Sequence, residues 1–323
     1  MSAFPYPLPK LESRFLPPPG WREGTFTNTE GRTVRFGIVM PANARGIVVG
    51  IEGLSEFAEK YFETAHDMIA RGFGFCIMDW QGQGRSHRHL EEREKRHLES
   101  FEDDLQDFHQ FITDHVIKTA AGKPLVMLAH SMGGHLGLLY LAAHPRTFSC
   151  AAFSAPMVGI NAIRNMPRFV VAGITALAVR FNPSAYVPGG RAWYPDKDFV
   201  HSATFLSSDP ARNKLQNTWL EHDPELRVGD VTWTWLADAA LSCHRLQTAQ
   251  IMKDITVPCL FGIGQNDRII DNNAIKALAV DAPNARIIEL EGSLHEILME
   301  RDQIRRRFLE QFDALIKESF HAA

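Results

Sequence analysis

The stretch Leu128-Ala129-His130-Ser131-Met132-Gly133-Gly134 holds the side chain best placed for chemistry. An apolar run, 124–128, precedes it and reads as a buried strand. Residues 135–144 follow it, with Leu and Ala at helical spacing. A serine at a strand-to-helix turn, flanked by small residues, is the nucleophile-elbow pattern. The turn is tight, so its neighbours must be small. It lifts the hydroxyl to the carboxyl end of the strand, where the next helix N-terminus favours developing negative charge. Ala129 stands at the first glycine of G-x-S-x-G, a departure of one methyl. A Gly-rich turn holding an inert serine would look the same locally, so the candidate partners decide.

Such a serine needs an acid and then a histidine further along the chain. Residues 255–263 are apolar and β-rich, broken by Pro258, and read as a strand that ends in Gly264-Gln265-Asn266-Asp267-Arg268. Asp267 falls just past the strand end, where an orienting carboxylate belongs. Residues 286–290 form another short apolar run, followed by Glu291-Gly292-Ser293-Leu294-His295-Glu296. His295 therefore lands in a loop before the last helix. Three residue types, each beyond a different strand end, are far more specific than the elbow alone. The turn Gly50-Ile51-Glu52-Gly53-Leu54-Ser55-Glu56 follows the first central strand, where a serine hydrolase needs a second backbone donor. Leu54 and Met132 are the candidate oxyanion N–H groups, and losing one such donor costs about 2.7–4 kcal/mol of transition-state stabilisation. A plain surface turn is the bland alternative.

Other constellations are weaker. Asp79-Trp80-Gln81-Gly82-Gln83-Gly84-Arg85-Ser86 superficially offers a phosphate cradle, but it lacks the third glycine and the Lys-Ser/Thr of a P-loop. It reads as a tight loop shaping the floor of the site. His87, His89 and His97 sit among charged residues and match no zinc spacing, so no metal site is expected. His130 is expected to point away from Ser131 and to pack structurally. His135, one helical turn on, competes as a base on spacing alone, but a helix residue cannot easily reach back over the elbow.

These residues need a framework that brings strand ends together. The 323-residue chain is 45% hydrophobic and 22% charged, enough for a large α/β core with or without an inserted domain. A net charge of −4 gives no sign of a nucleic-acid partner. Cys76, Cys150, Cys243 and Cys259 show no paired spacing, and Cys76 and Cys259 fall inside strands, so they read as small core residues in a reducing compartment. The Pro-rich segment 1–20 lacks the pattern of a secretory signal, and no apolar run is long enough to span a bilayer. A cytoplasmic location is expected.

Residues 1–23 read as an irregular arm. A hairpin is expected over 25–40, turning at Glu30-Gly31-Arg32, and strands and helices then alternate. Strands are expected at 46–51, 73–78, 124–128 and 148–153, with helices at 58–71 and 98–118. This argues for a mostly parallel sheet with helices on both faces and chemistry at the strand carboxyl ends. Alternation stops near Pro156 and resumes near Ile251. The expected division is an arm (1–23), a core (24–155 and 246–323) and a mainly helical lid (156–245), rich in residues such as Phe169, Leu177, Phe181, Trp193, Trp219 and Trp235. The segment 169–179, flanked by Arg164, Arg168 and Arg180, reads either as an amphipathic helix seeking a membrane surface or as an apolar helix packed on the core. The balance falls toward packing.

Ala-His-Ser-Met-Gly-Gly at 129–134, Asp-x-x-Gly-x-Gly-x-Ser at 79–86 and Gly-Ser-Leu-His-Glu-Ile-Leu-Met-Glu at 292–300 resemble the α/β-hydrolase superfamily, and within it the lysophospholipase and monoacylglycerol-lipase branch. Residues 221–229 and 232–236 are similar to the lid of bacterial lysophospholipases. The resemblance runs from about Thr25 onward. It implies an α/β-hydrolase fold with an inserted lid, Ser131 as nucleophile, Asp267 as acid, His295 as base, and Leu54 and Met132 as oxyanion donors. Two departures stand out. Ala129 is the minor one. The family usually has His-Gly-x-Gly-Glu in the oxyanion loop, with a His-x-x-Arg-Tyr-like continuation. Here the loop reads Glu52-Gly53-Leu54-Ser55-Glu56, then Lys60-Tyr61. Glu52 would put negative charge near an oxyanion unless it points away. The expected activity is hydrolysis of a single-chain acyl lipid (a lysophospholipid or a monoacylglycerol) through an acyl-serine, with no metal or organic cofactor. An acyltransferase, a peptidase of the same fold or a non-catalytic binding protein are the alternatives. Peripheral membrane contact through the lid and the oligomeric state stay open.

Overall fold

The computed structural model describes residues 7–195, 205–248, 251–280, 282 and 284–321. Eight strands form one sheet in the order β1-β2-β4-β3-β5-β6-β7-β8. They are β1 (Arg22–Thr27), β2 (Thr33–Val39), β3 (Ile47–Ile51), β4 (Gly74–Met78), β5 (Leu125–His130), β6 (Cys150–Ser154), β7 (Cys259–Gly264) and β8 (Ala285–Leu290). The expected hairpin is β1–β2, with Phe26 opposite Val34 and Thr27 opposite Thr33. Pairing from β4 through β8 is parallel, and β2 joins β4 antiparallel.

Every residue of β3, β4, β5, β6 and β7 is buried, whereas β8 at the sheet edge is largely exposed. Strands covered on both faces need continuous apolar runs, and that is what sequences such as Ile-Val-Val-Gly-Ile in β3 supply. The four cysteines are buried and unpaired with one another.

The connecting helices are α1 (Phe62–Ala70), α2 (Phe101–Phe111, continued through a π turn at Ile112–Val116 to Ile117–Ala120), and α3 (Ser131–Ala143). α3 begins at Ser131, four residues before the expected start. Among the described residues between β6 and β7, three α-helices are present: α4 (Arg168–Phe181), α5 (Pro210–His222) and α6 (Trp233–Thr248). α7 (Asn272–Val280) joins β7 to β8, and α8 (Asp302–His321) closes the chain.

The segment between β6 and β7 is fastened to the rest of the molecule by α5 and α6. Arg212 of α5 makes charge-assisted bonds of 2.7 Å to both oxygens of Glu63 in α1. Trp219 meets Phe62 edge-to-face at 5.8 Å. In α6, Ser242 meets His135 of α3, and Trp235 packs edge-to-face on Phe101. α6 runs straight through position 245, where a boundary with the core was expected.

α4 behaves differently. Only Val171 and Thr175 of this helix are buried. Phe169 and Phe181 are each 79% exposed, and Leu177 is 62% exposed. The expectation that 169–179 packs on the core is therefore corrected: its apolar side faces outward. Apolar spacing on a short helix reports that a face needs a partner but not whether the partner is protein.

Candidate active site

Four strand ends converge on the site. Ser131 is the first residue of α3, directly after β5, and has φ +50°, in the left-handed region. For a residue with a Cβ this costs about 1–3 kcal/mol, which the surrounding packing must offset. The neighbours explain how the turn is tolerated. A Cβ on Gly133 would lie 2.3 Å from the Glu52 carbonyl oxygen, and one on Gly134 would lie 2.7 Å from Pro156 Cβ, so neither position has room for a side chain. The Ala129 methyl faces Gly137 of α3 without crowding it. Even a bare Cβ at 137 would sit 3.6 Å from the Ala129 methyl, an ordinary contact.

His295, in the loop after β8, has Nε2 2.9 Å from Ser131 Oγ and Nδ1 2.7 Å from Asp267 Oδ2. Asp267 follows β7. Its other oxygen, Oδ1, accepts the N–H groups of Ile269 and Ile270 at 2.8 and 3.3 Å, so the carboxylate is fixed from both ends. All three side chains are buried. Burial opposes a charged imidazole, but the charge and hydrogen bond of Asp267 outweigh it and raise the pKa of His295. Burial likewise works against the Asp267 carboxylate, and His295 with the two backbone donors holds its pKa below the usual range. The three residues singled out in the sequence are thus one hydrogen-bonded relay.

The loop after β3 runs against the serine. A Cβ on Gly53 would stand 3.2 Å from Ser131 Cβ. Gly53 N–H donates to Glu56 Oε2 at 2.6 Å, and Ser55 N–H donates to Gln83 Oε1 at 3.0 Å. Among the described residues, the N–H of Leu54 between them has no partner. Met132 N–H lies in the first turn of α3, where a helix has no acceptor of its own to offer.

Burial works against a charge on Glu52 in this loop. Its Oε1 accepts from Gln83 Nε2 at 2.8 Å and Trp80 N–H at 3.3 Å, while Oε2 is buried without a partner. Burial, with Asp79 nearby, pushes its pKa well above the ordinary carboxylate value and so favours the protonated form. Gln83 is the keystone of the expected floor loop. Its amide also donates to the carbonyls of Gly53 and Glu56, and its oxygen accepts from buried Arg96.

Two histidine expectations are refined. His135 donates from Nδ1 to the Met157 carbonyl, with Nε2 on Ser242 Oγ at 2.7 Å, which leaves it no reach to Ser131. His130 donates from Nδ1 to the Ser154 carbonyl at 2.9 Å, but its ring does not turn away from the site: it packs 4.9 Å from the His295 ring. Glu56, His130 and Glu296 have the mutual spacing of a cation site. The cation beside them is the Lys60 ammonium, 2.8 Å from Glu56 and 2.6 Å from Glu296.

The family model described as "Serine aminopeptidase, S33" (Hydrolase_4) matches residues 42–302. The chain belongs to this family. Its fold is the α/β-hydrolase fold, and the protein is an enzyme of the serine-hydrolase type. It is 29% identical over 298 residues to lysophospholipase L2 of Escherichia coli (strain K12), covering 88% of this chain and 85% of the relative. It is 27% identical over 273 residues to a probable lysophospholipase L2 of Haemophilus influenzae, covering 84% of each. A crystal structure of a soluble variant of monoglyceride lipase from Saccharomyces cerevisiae, with a substrate analogue, superposes with a TM-score of 0.73 at 19% identity, over 96% of this chain and 100% of that one.

The sequence reading missed the supporting polar residues Gln83, Glu56, Lys60 and Glu296. Lys60 and Glu296 are 236 residues apart, and nothing local in either stretch announces their contact.

Proposed function

We propose that this enzyme hydrolyses carboxylic esters of single-chain acyl lipids. Ser131, His295 and Asp267 carry the reaction. His295 Nε2 takes the hydroxyl proton as Ser131 Oγ attacks the ester carbonyl. Asp267 holds the tautomer and stabilises the imidazolium. The N–H groups of Leu54 and Met132 receive the oxyanion. Collapse of the tetrahedral intermediate breaks the C–O bond, and the alcohol leaves with the proton from His295. Water, deprotonated by the same imidazole, then cleaves the acyl-serine to free acid. The observation that carries this reading is the pair of hydrogen bonds on His295, 2.9 Å to Ser131 and 2.7 Å to Asp267.

The inserted segment supports the lipid part of the reading and serves as a lid. A cleft of about 580 Å³ lies between α4 and α6, walled by Ile160, Ile163, Met166, Phe169, Val171 and Leu241. Its walls include none of the three relay residues. Its base at Gly159 and Asp271 adjoins the Asp267 loop through the Ile160–Ile270 bridge. The outward apolar face of α4 is the surface on which such an enzyme would meet lipid, as a peripheral contact.

The relatives named for lysophospholipids and monoacylglycerols point to the same substrates. An aminopeptidase would need a free carboxylate for the substrate ammonium, yet Asp267 is bound to the base and the other two carboxylates acting on it, Glu56 and Glu296, are bound to Lys60. The test is a panel of lysophosphatidylcholine, monoacylglycerols, short p-nitrophenyl esters and an aminoacyl p-nitroanilide. The long single-chain esters are expected to give the highest kcat/KM. Cleavage confined to the anilide would contradict the assignment.

A further inference from the structure

Lys60 is an ammonium at 1% exposure, bound to Glu296, the residue after the base. Its Nζ donates to Glu56 Oε1 at 2.8 Å, Glu296 Oε1 at 2.6 Å and Gln216 Oε1 at 2.8 Å. Three donors meet three acceptors, and the acceptors belong to three different parts of the molecule. Glu56 is in the loop after β3, and its second oxygen accepts Gly53 N–H and the Tyr61 hydroxyl, each at 2.6 Å. Glu296 directly follows His295. Gln216 lies in α5 of the inserted segment, and its own amide donates to the Ser55 carbonyl at 3.4 Å. The Leu54 loop, the His295 loop and the insertion therefore meet at one nitrogen.

We infer that Lys60 is a positioning residue, which holds the Leu54 and His295 loops in register with Ser131 and balances the charge around the imidazole. The inference rests on the hydrolase reading above and adds to it a residue that touches neither the nucleophile nor the substrate. Burying an ammonium costs several kcal/mol, and an apolar side chain of similar volume would fill the space without that cost. What an apolar side chain could not do is bind two loops and a helix through directed bonds.

The groups acting on His295 are Asp267 from the β7 loop, Glu296 from its own loop, Glu56 from the β3 loop, and His130 at the end of β5, with Lys60 bound to both Glu56 and Glu296. Burial lowers the pKa of His130 to about 4, so near neutral pH it adds no charge. Glu56 and Glu296 both favour the imidazolium. Removing Lys60 leaves them uncompensated, and the base keeps its proton to higher pH.

The experiment uses the full chain with Lys60→Met, Lys60→Arg, Glu296→Gln and the double variant Lys60→Met/Glu296→Gln. A short p-nitrophenyl ester reports kcat and KM across pH, with active sites counted by a fluorophosphonate. Lys60→Met is expected to lower kcat per titrated site about 10- to 100-fold with KM little changed, and to move the acid limb of kcat/KM to higher pH. The double variant should bring that limb back toward the wild-type position, and Lys60→Arg should recover part of kcat. Glu296→Gln alone should move the limb to lower pH. A Lys60→Met enzyme with wild-type kcat per site and an unmoved limb overturns the inference. If Lys60→Met does not fold, an unmoved limb in Glu296→Gln overturns it instead. A wild-type enzyme that neither turns over the ester nor reacts with the fluorophosphonate overturns the hydrolase reading itself, before any variant is compared.

Discussion

At the scale of single residues, the site works by setting protonation states apart. Asp267 is biased toward the carboxylate and His295 toward the imidazolium, whereas Glu52, a few residues from the proposed oxyanion donor, is biased toward the neutral acid. That combination gives two expectations. Because burial favours the protonated form of Glu52, Glu52→Gln preserves its size and keeps an acceptor for Gln83. Its kcat/KM on a p-nitrophenyl ester should stay within about threefold of wild type, an energy difference below about 1 kcal/mol; a loss of a hundredfold would show that the carboxyl proton itself matters. The second concerns pH. General-base attack needs neutral His295, and the folded-state pKa of this imidazole lies above its ordinary value. The kcat/KM profile should therefore rise with pH through a midpoint above that of free histidine, about 6.5. A midpoint below it would mean that Asp267 does not dominate the environment of the base.

At the scale of elements, the strand ends and the inserted helices do different work. β5 and α3 make the elbow because glycines at 133, 134 and 137 let the helix lie against the β3 loop, Pro156 and β5. α5 and α6 clamp the insertion to the core. α4 is left with its apolar side in solvent, and residues 157–195 contain no Asp or Glu but include Arg164, Arg168, Arg180 and Arg191. A basic segment with an exposed apolar helix suits an anionic lipid surface. Replacing Phe169, Leu177 and Phe181 together with glutamine should leave the melting temperature almost unchanged, because these side chains bury little in the folded protein. The same change should abolish co-sedimentation with vesicles containing phosphatidylglycerol. Full retention on vesicles after the triple change would remove α4 from the lipid contact, and a large drop in melting temperature would show that the helix is packed in solution.

At the scale of the molecule, the parallel sheet makes distant sequence positions into neighbours. Ser131, Asp267 and His295 could be picked out because each follows its own apolar strand run, and the order of the three along the chain fits one known geometry. The hairpin and the alternation of strands and helices were legible for the same reason: continuous burial on both faces writes itself into consecutive residues. Other features were not legible. Whether α4 faces core or solvent depends on what lies beside it, and its own sequence is apolar either way. The Lys60 cluster depends on contacts across 156 and 236 residues. The raised pKa of Glu52 follows from burial and from Asp79, and its charge type alone suggested the opposite.

The relay is tested most directly by mass spectrometry of the enzyme after reaction with a fluorophosphonate, with the labelled peptide sequenced and Ser131→Ala treated in parallel. One adduct per chain, located on Ser131, absent from Ser131→Ala and accompanied by loss of esterase turnover, is the predicted result. Labelling at another residue, or a Ser131→Ala protein that still hydrolyses ester at a substantial fraction of the wild-type rate, would contradict the assignment of Ser131, His295 and Asp267 as the reacting group.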